Sequence, residues 1–203
     1  MAEKLYEKLK TYQQATVIYD FTVKFSEKYI KSLRTREQMD QAARSGQQNI
    51  AEGSTVGKTS KKSEIKLLGV SRGSLEELLR DYETYLRQSS LPQWLPDSAE
   101  ALKVRNLVYE RIGDNMKEYS KSNANIISYS SYSSYLNSAE TAANAMICLI
   151  NQTNMLLDKQ IASRKQEFLA KGGFTENLYK QRVVSREQQL RQLDENKFKP
   201  RKR

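Results

Sequence analysis

Residues 35–53, which read TREQMDQAARSGQQNIAEG, decide the fold of this chain. Their apolar and small residues recur at intervals of three and four, the period of an α-helix that buries one face. That face consists of Met39, Ala42, Ala43, Gly46 and Ile50. Since Ala42 and Gly46 are small and lie four residues apart, the pattern predicts a helix that a neighbouring helix approaches closely.

Both ends of this helix carry sequence signals. Thr35 followed three residues later by Gln38 is typical of a capping box, which satisfies free backbone N–H groups at a helix start. Gly53 after Glu52 predicts a left-handed residue that ends the helix. A loop over residues 54–60 is expected next.

Three more segments before residue 120 show the same period, at about 5–30, 63–88 and 97–119. In the third helix of the chain, Gly69 and Gly73 repeat the pair of small residues and predict a second close approach. Four long helices joined by short connections favour an all-α, up-and-down antiparallel four-helix bundle over residues 1–120.

The remainder of the chain divides into three segments. Residues 121–137 are rich in Ser and Tyr and predict a low-complexity linker, although the tyrosines could instead line one helix face or stack on bases. Residues 138–195 form a helical suffix domain, with a long apolar helix that ends at Lys171-Gly172-Gly173 and a charged helix after it. The apolar helix needs a surface to cover it. A basic tail occupies residues 196–203.

Composition argues against an enzyme. The chain has no histidine, the commonest general base and metal ligand near neutral pH, so no metal or cofactor is expected. Its one cysteine, Cys148, lies in an apolar run and is interpreted as a core residue. Glu52 is better interpreted as a partner of a nearby Lys or Arg, or of backbone N–H groups, than as a base.

No secretory or membrane-spanning segment is evident, which favours a reducing cytoplasm.

Positive charge is concentrated at the C-terminal end. The net charge is +10, and residues 160–203 hold 12 Lys and Arg against 5 Asp and Glu. Such a segment favours polyanions, or else is a disordered, solubilising tail. The candidate phosphate contacts are Lys58, Lys61, Lys62, Lys66, Lys180, Arg182, Arg186, Arg191, Lys197, Lys199, Arg201, Lys202 and Arg203.

Three polar residues interrupt the apolar helix of the suffix domain: Asn144, Gln152 and Asp158. Buried polar groups need hydrogen-bond partners. A structural polar network is the favoured interpretation, and a functional site is the alternative.

Residues 38–53 and 73–78 resemble the two motifs of the four-helix-bundle proteins first recognised in large-subunit ribosomal RNA intervening sequences. The motif residues are Asn49, Ile50, Ala51, Glu52, Gly53, Gly73 and Ser74. One class in that family is the accessory variability protein of diversity-generating retroelements, a basic homopentamer that binds a reverse transcriptase and nucleic acid. The segment after residue 140 is similar to the suffix domain attached to some of these proteins.

The resemblance and the charge together give the leading hypothesis: a non-enzymatic, basic, oligomeric nucleic-acid-binding accessory protein, with a homopentamer, RNA and a retroelement reverse transcriptase as the implied assembly and partners. The alternative is a structural oligomeric scaffold whose suffix domain docks a protein partner without binding nucleic acid.

Overall fold

The computed structural model describes residues 4–113 and 132–197, and over these ranges it contains helices and no strand. Its α-helices are α1 (Lys10–Tyr29), α2 (Leu33–Val56), α3 (Lys61–Gln88), α4 (Ala99–Gly113), α5 (Ala139–Lys171) and α6 (Phe174–Lys197). Short 3-10 helices precede α1 and α5, at Leu5–Lys8 and Ser133–Asn137. The all-α prediction is confirmed. Within the described ranges, no helix is long and apolar enough to cross a bilayer.

Four of the helices, α1, α2, α3 and α5, form an up-and-down bundle in which each packs against two neighbours. Two buried hydrogen bonds connect neighbouring helices: Ser71 Oγ donates to the Gly46 carbonyl at 2.6 Å, and Thr153 Oγ1 donates to Gln14 Oε1 at 2.8 Å. The face of α2 predicted to turn inward is buried over its whole length, at Met39, Ala42, Ala43, Gly46 and Ile50. The bundle prediction is therefore confirmed for this face.

The fourth position in the bundle belongs to α5, a helix from the predicted suffix domain. It packs against α1 and α3, whereas the described part of α4 packs against α5. Met146, Ile150 and Leu157 of α5 are fully buried in one hydrophobic core with residues of α1, α2 and α3. The domain boundaries remain predictions, but this helix shares the core of the bundle. Its apolar surface is thus covered within the chain, which removes one of the two reasons for expecting an oligomer.

Helix ends differ from the sequence predictions by a few residues. Helix α2 begins at Leu33, where the Ser32 hydroxyl accepts a hydrogen bond from the Thr35 N–H at 3.3 Å, so Ser32 and not Thr35 is the cap. Gly53 does not end α2, because the helix continues to Val56. The end of α5 at Lys171 is as predicted, and Gly172 beyond it has φ +71°.

The glycines of α2 and α3 have different surroundings. A Cβ built on Gly46 would lie 2.6 Å from Leu75 Cδ2, so the predicted close approach is present there. A Cβ on Gly53 would lie 3.4 Å from the Glu64 carbonyl oxygen of α3, which is an ordinary contact distance. A Cβ on Gly69 or Gly73 would meet no described atom within 4 Å, so the second predicted close approach is wrong among the described residues.

The predicted polar network on α5 connects that helix to other segments. Asn144 Nδ2 donates to the Pro92 carbonyl at 2.9 Å, and its Oδ1 accepts from the Trp94 N–H at 2.8 Å. Gln152 Nε2 donates to the Arg105 carbonyl, and Asp158 forms an ion pair with Arg72. These partners are backbone groups and a surface arginine, which favours the structural interpretation over a functional site.

Candidate nucleic-acid interface

One end of the bundle brings together the start of α1, the turn between α2 and α3, and the second half of α5. Thr11 Oγ1 donates to Gln160 Oε1 at 2.8 Å, which places the start of α1 beside α5. Arg164 Nε lies 2.8 Å from Glu64 Oε1, which places α5 beside the start of α3. We refer to this region as the turn end of the bundle.

A closed ring of four ion pairs holds the turn end together. Lys61 Nζ lies 3.2 Å from Glu64 and 3.5 Å from Glu167, and Arg164 contacts the same two carboxylates at 2.8 and 3.0 Å. The Glu64 side chain is 4% exposed. A Cβ on Gly57 would collide with its carboxylate, so a larger residue there would force the carboxylate to shift. A buried carboxylate is tolerated here because two cations contact it and Lys61 donates a hydrogen bond to it.

The two positive and two negative charges of this ring balance each other, and this affects Glu167 and Lys61. The hydrogen bond from Arg164, together with the charge of Lys61, lowers the pKa of the Glu167 carboxyl. Lys61, predicted as a phosphate contact, instead neutralises two acidic side chains of its own chain. It is the weakest of the four candidates at this end of the bundle.

Lys58, Lys62 and Lys66 differ from Lys61 because they are exposed and have no ion-pair partner among the described residues. Lys58 lies in the turn itself, and the other two lie on α3. Lys62 and Lys66 are one helical turn apart, about 6 Å along the axis at 1.5 Å per residue. The turn end therefore presents three available cations within a short distance along the chain.

Helix α6 starts at the same end of the bundle, immediately after Gly172 and Gly173. Its described side chains, at residues 174–192, are all exposed. At 100° per residue, Arg182 and Arg186 lie on one side of the helix, whereas Lys180 and Arg191 lie on the roughly opposite side. The four predicted cations of α6 are thus exposed but do not share one face.

Several predicted site residues lie outside the described part of the structure. The side chain of Lys197 is among them, together with Lys199, Arg201, Lys202, Arg203 and most of the predicted linker. The described end of that linker is ordered into the fold: Tyr132 is fully buried, and Tyr29 Oη donates to the Leu136 carbonyl at 2.7 Å. Residues 132–137 of the predicted linker thus pack on the bundle, and the burial of Tyr132 leaves its ring unavailable for base stacking. The linker as a whole stays a prediction.

Some of the motif residues hold α2 and α3 together. Ser74 Oγ of α3 donates to Ser45 Oγ of α2 at 3.0 Å. The bond from Asn49 Nδ2 to the Ser45 carbonyl, at 2.8 Å, lies within α2. Ile50 is fully buried and Gly53 is buried, whereas Ala51 is half-buried and Gly73 is exposed. Glu52 is exposed with no partner among the described residues, so the ion pair predicted for it is wrong. The motif thus describes helix packing more than binding chemistry.

A groove of about 510 Å³ on the outer side of α2 and α3 could hold a ligand. Its walls are polar, with Arg34, Glu37, Gln41, Ser45 and Glu77 among the lining residues. No nucleophile there is paired with a base in the way that hydrolytic or transfer chemistry requires. Nor does any group of three or more acidic or cysteine side chains among the described residues form a metal cage. This groove provides no support for catalysis.

The sequence analysis did not predict the two acidic residues of the turn end, Glu64 and Glu167. Glu64 and Glu167 each follow a basic residue by three positions, a spacing that signals a local pair on a helix. The spacing alone does not show that two such pairs, about a hundred residues apart, close into one ring.

Comparisons with known proteins give one match, to a family model. No curated protein and no solved structure matches the chain. The model of the 23S rRNA-intervening sequence protein family matches residues 3–97. That range includes α1, α2 and α3 but neither α4 nor the helix that completes the bundle. Over residues 3–97, therefore, this chain is similar to the 23S rRNA-intervening sequence protein family.

Proposed function

We propose that this protein is a non-enzymatic accessory protein that binds RNA through phosphate contacts at the turn end of its bundle. Similarity over residues 3–97 to the 23S rRNA-intervening sequence protein family is compatible with an RNA-related role. The observation that carries the proposal is the set of three exposed lysines, Lys58, Lys62 and Lys66, without acidic partners in the described structure. Lysines of this kind bind phosphates by releasing condensed counterions.

The candidate contacts are not equally available to bind phosphate. Lys61 is committed to Glu64 and Glu167, so it contributes little to the phosphate contacts. Helix α6 follows α5 at the turn end, and its Arg182 and Arg186 could extend the contact on one side. The basic residues after Lys197 are part of the same proposal on the grounds of their charge.

More specific forms of the proposal rest on the family resemblance. These are a homopentameric assembly, a reverse transcriptase of a diversity-generating retroelement as partner, and a cytoplasmic location. Light scattering tests the assembly, because a mass near 23.5 kDa, that of one chain, would reject any oligomer.

The test of RNA binding is a salt titration with a labelled structured RNA. Replacing Lys58, Lys62 and Lys66 with glutamine removes up to three phosphate contacts, so the slope of log affinity against log salt should flatten by about 2 to 2.7 units. The matched control replaces three exposed basic residues elsewhere, Lys31, Arg44 and Lys103, which also lack ion-pair partners among the described residues, and should leave the slope nearly unchanged. Equal losses in both triple variants would mean only non-specific charge attraction, and no loss in either would reject the turn end as the RNA site.

A second candidate function is a scaffold whose C-terminal segment docks a protein. The exposed apolar side chains of α6, such as Phe174, Leu178 and Leu190, favour it. It becomes the better proposal if the wild-type protein fails to retain RNA at low salt, since phosphate-driven binding is strongest there.

A further inference from the structure

Helix α6 is the least covered element of the described structure. It makes no extended contact with any other described element, and its side chains are exposed throughout residues 174–192. Isolated helices are marginal in water, and most helical stability in proteins comes from packing one face. A helix of 24 residues with several exposed large apolar side chains is expected to have a partner surface.

The apolar residues of α6 include a stripe with the spacing of a coiled coil. Tyr179, Val183, Arg186 and Leu190 follow one another at intervals of four, three and four residues. The three apolar members are exposed by 69%, 38% and 54%. Repeats averaging 3.5 residues keep a seam facing a second helix. We call these four residues the α6 stripe.

We propose that the α6 stripe pairs with the α6 stripe of a second copy of this chain, in an antiparallel arrangement. With the two-fold axis between residues 184 and 185, Tyr179 of each copy faces Leu190 of the other, and Val183 faces Arg186. Arg186 is the single polar residue of the stripe, and one polar position inside such a seam fixes its register.

Charge complementarity selects the antiparallel direction. In an antiparallel pair, the residues that flank the seam on one side of a helix meet the residues of the same side in the partner helix. Lys180 of each copy therefore lies beside Glu187 of the other, and this ion pair occurs twice. Arg182 then lies beside Gln189, which is neutral. A parallel pair would place Arg186 directly against its own copy inside the seam, and such like-charge contacts are destabilising.

This inference does not rest on RNA binding by Lys58, Lys62 and Lys66 or on any contact between the bundles. It places Arg186 in the seam, and so removes that residue from the candidate phosphate contacts. It concerns a segment beyond residues 3–97, the range matched by the family model. Its test therefore has to report on α6 itself rather than on the total mass of the assembly.

The experiment is disulfide trapping in the full-length chain. Tyr179→Cys and Leu190→Cys proteins are oxidised separately and as an equal mixture, and cross-linked dimers are separated on a non-reducing gel. The wild type, whose Cys148 is half-buried, gives the background. In the antiparallel pair the two positions 179 are about 16 Å apart, since they are separated by 11 residues at 1.5 Å each, which is too far for a disulfide.

The expected result is a strong cross-link in the mixture and only background in either protein alone. Val184→Cys is the matched control for the outer face of the helix and should not cross-link in any combination. Cross-linking of each single variant with itself, and not in the mixture, would show a parallel pair and overturn the proposal. Background in all samples would overturn the proposal, because the stripe would then not pair with a second α6.

A charge swap provides the second arm. In the cysteine mixture, Lys180→Glu places like charges together twice per pair and should weaken cross-linking by roughly threefold to tenfold. Adding Glu187→Lys should restore it. Arg191→Glu makes the same charge change on the outer face and should have little effect. A loss with Lys180→Glu that Glu187→Lys does not recover would contradict the assigned register.

Discussion

Replacing Gly46 with alanine tests whether α2 and α3 are held as closely as their small residues indicate. The new Cβ would lie 2.6 Å from Leu75 Cδ2 and 2.8 Å from Leu75 Cγ. Carbon atoms prefer a separation of about 3.5 to 4.0 Å, so one group has to move by about 1 Å. Leu75 is fully buried, and Ser71 one turn earlier holds the Gly46 carbonyl at 2.6 Å. Neither partner can move freely.

The expected loss follows from two opposing effects. Overpacking a core of this kind costs about 1 to 3 kcal/mol. Alanine recovers about 0.8 to 1.0 kcal/mol of helix propensity relative to glycine. The net change is a loss of about 0 to 2 kcal/mol, or a melting midpoint lower by about 2 to 4 °C for each kcal/mol. Gly46→Leu, which adds more atoms at the same place, should lose more.

Gly73→Ala is the matched control. Gly73 also lies inside a helix, but a Cβ there meets nothing within 4 Å. With no clash to offset the gain in propensity, this variant should be stabilised by about 0.5 to 1 kcal/mol. The same chemical change is thus expected to have opposite signs at the two glycines.

The assay is urea and thermal denaturation, each followed by far-UV circular dichroism. Gly46→Ala should also cost less in a Leu75→Ala background, because the clash is then absent. If Gly46→Ala stabilises the protein as much as Gly73→Ala does, the close approach between α2 and α3 is not real.

Three further predictions use the same assay. Glu64→Gln removes the buried carboxylate that Arg164 contacts and should lower stability by about 1.5 to 3 kcal/mol, and a neutral result would mean that the ring contributes nothing. Asp81→Asn should raise the melting midpoint at pH 7, because desolvation raises the pKa of Asp81 in the folded state and its ionised form therefore costs stability. This advantage should vanish as the pH falls below about 4, where the unfolded carboxyl is protonated too, and an advantage that persists there would contradict the assignment. Tyr82→Phe leaves the buried Thr22 hydroxyl without its partner at 3.0 Å and should cost about 1 to 2 kcal/mol, with loss of cooperativity indicating a broader defect.

Periodicity in the sequence was sufficient to identify the helices. The inward face of α2, the extent of α3 and the end of α5 at Lys171 all follow from apolar spacing and glycine placement, which act over a few residues. Cap residues were displaced by a few positions, because Ser32 and Thr35 carry the same chemistry and only backbone geometry separates them.

The sequence also determined the available cations but not which of them are free. Lys58, Lys61, Lys62 and Lys66 look alike in the sequence. Lys61 alone meets Glu167, more than a hundred residues away, because α5 runs antiparallel to α3. Pairing of this kind depends on packing between distant segments, which no local pattern encodes.

The arrangement of helices was decided by the tertiary structure. Both α4 and α5 have apolar faces, and sequence order predicted that the earlier helix would complete the bundle. The structure places α5 against α1 and α3, with α4 on its outer side. Helix α5 has 33 residues, and its middle is apolar around most of its circumference. The physical reason is that such a helix gains the most by burial on several sides at once, and only the position between α1, α3 and α4 provides that.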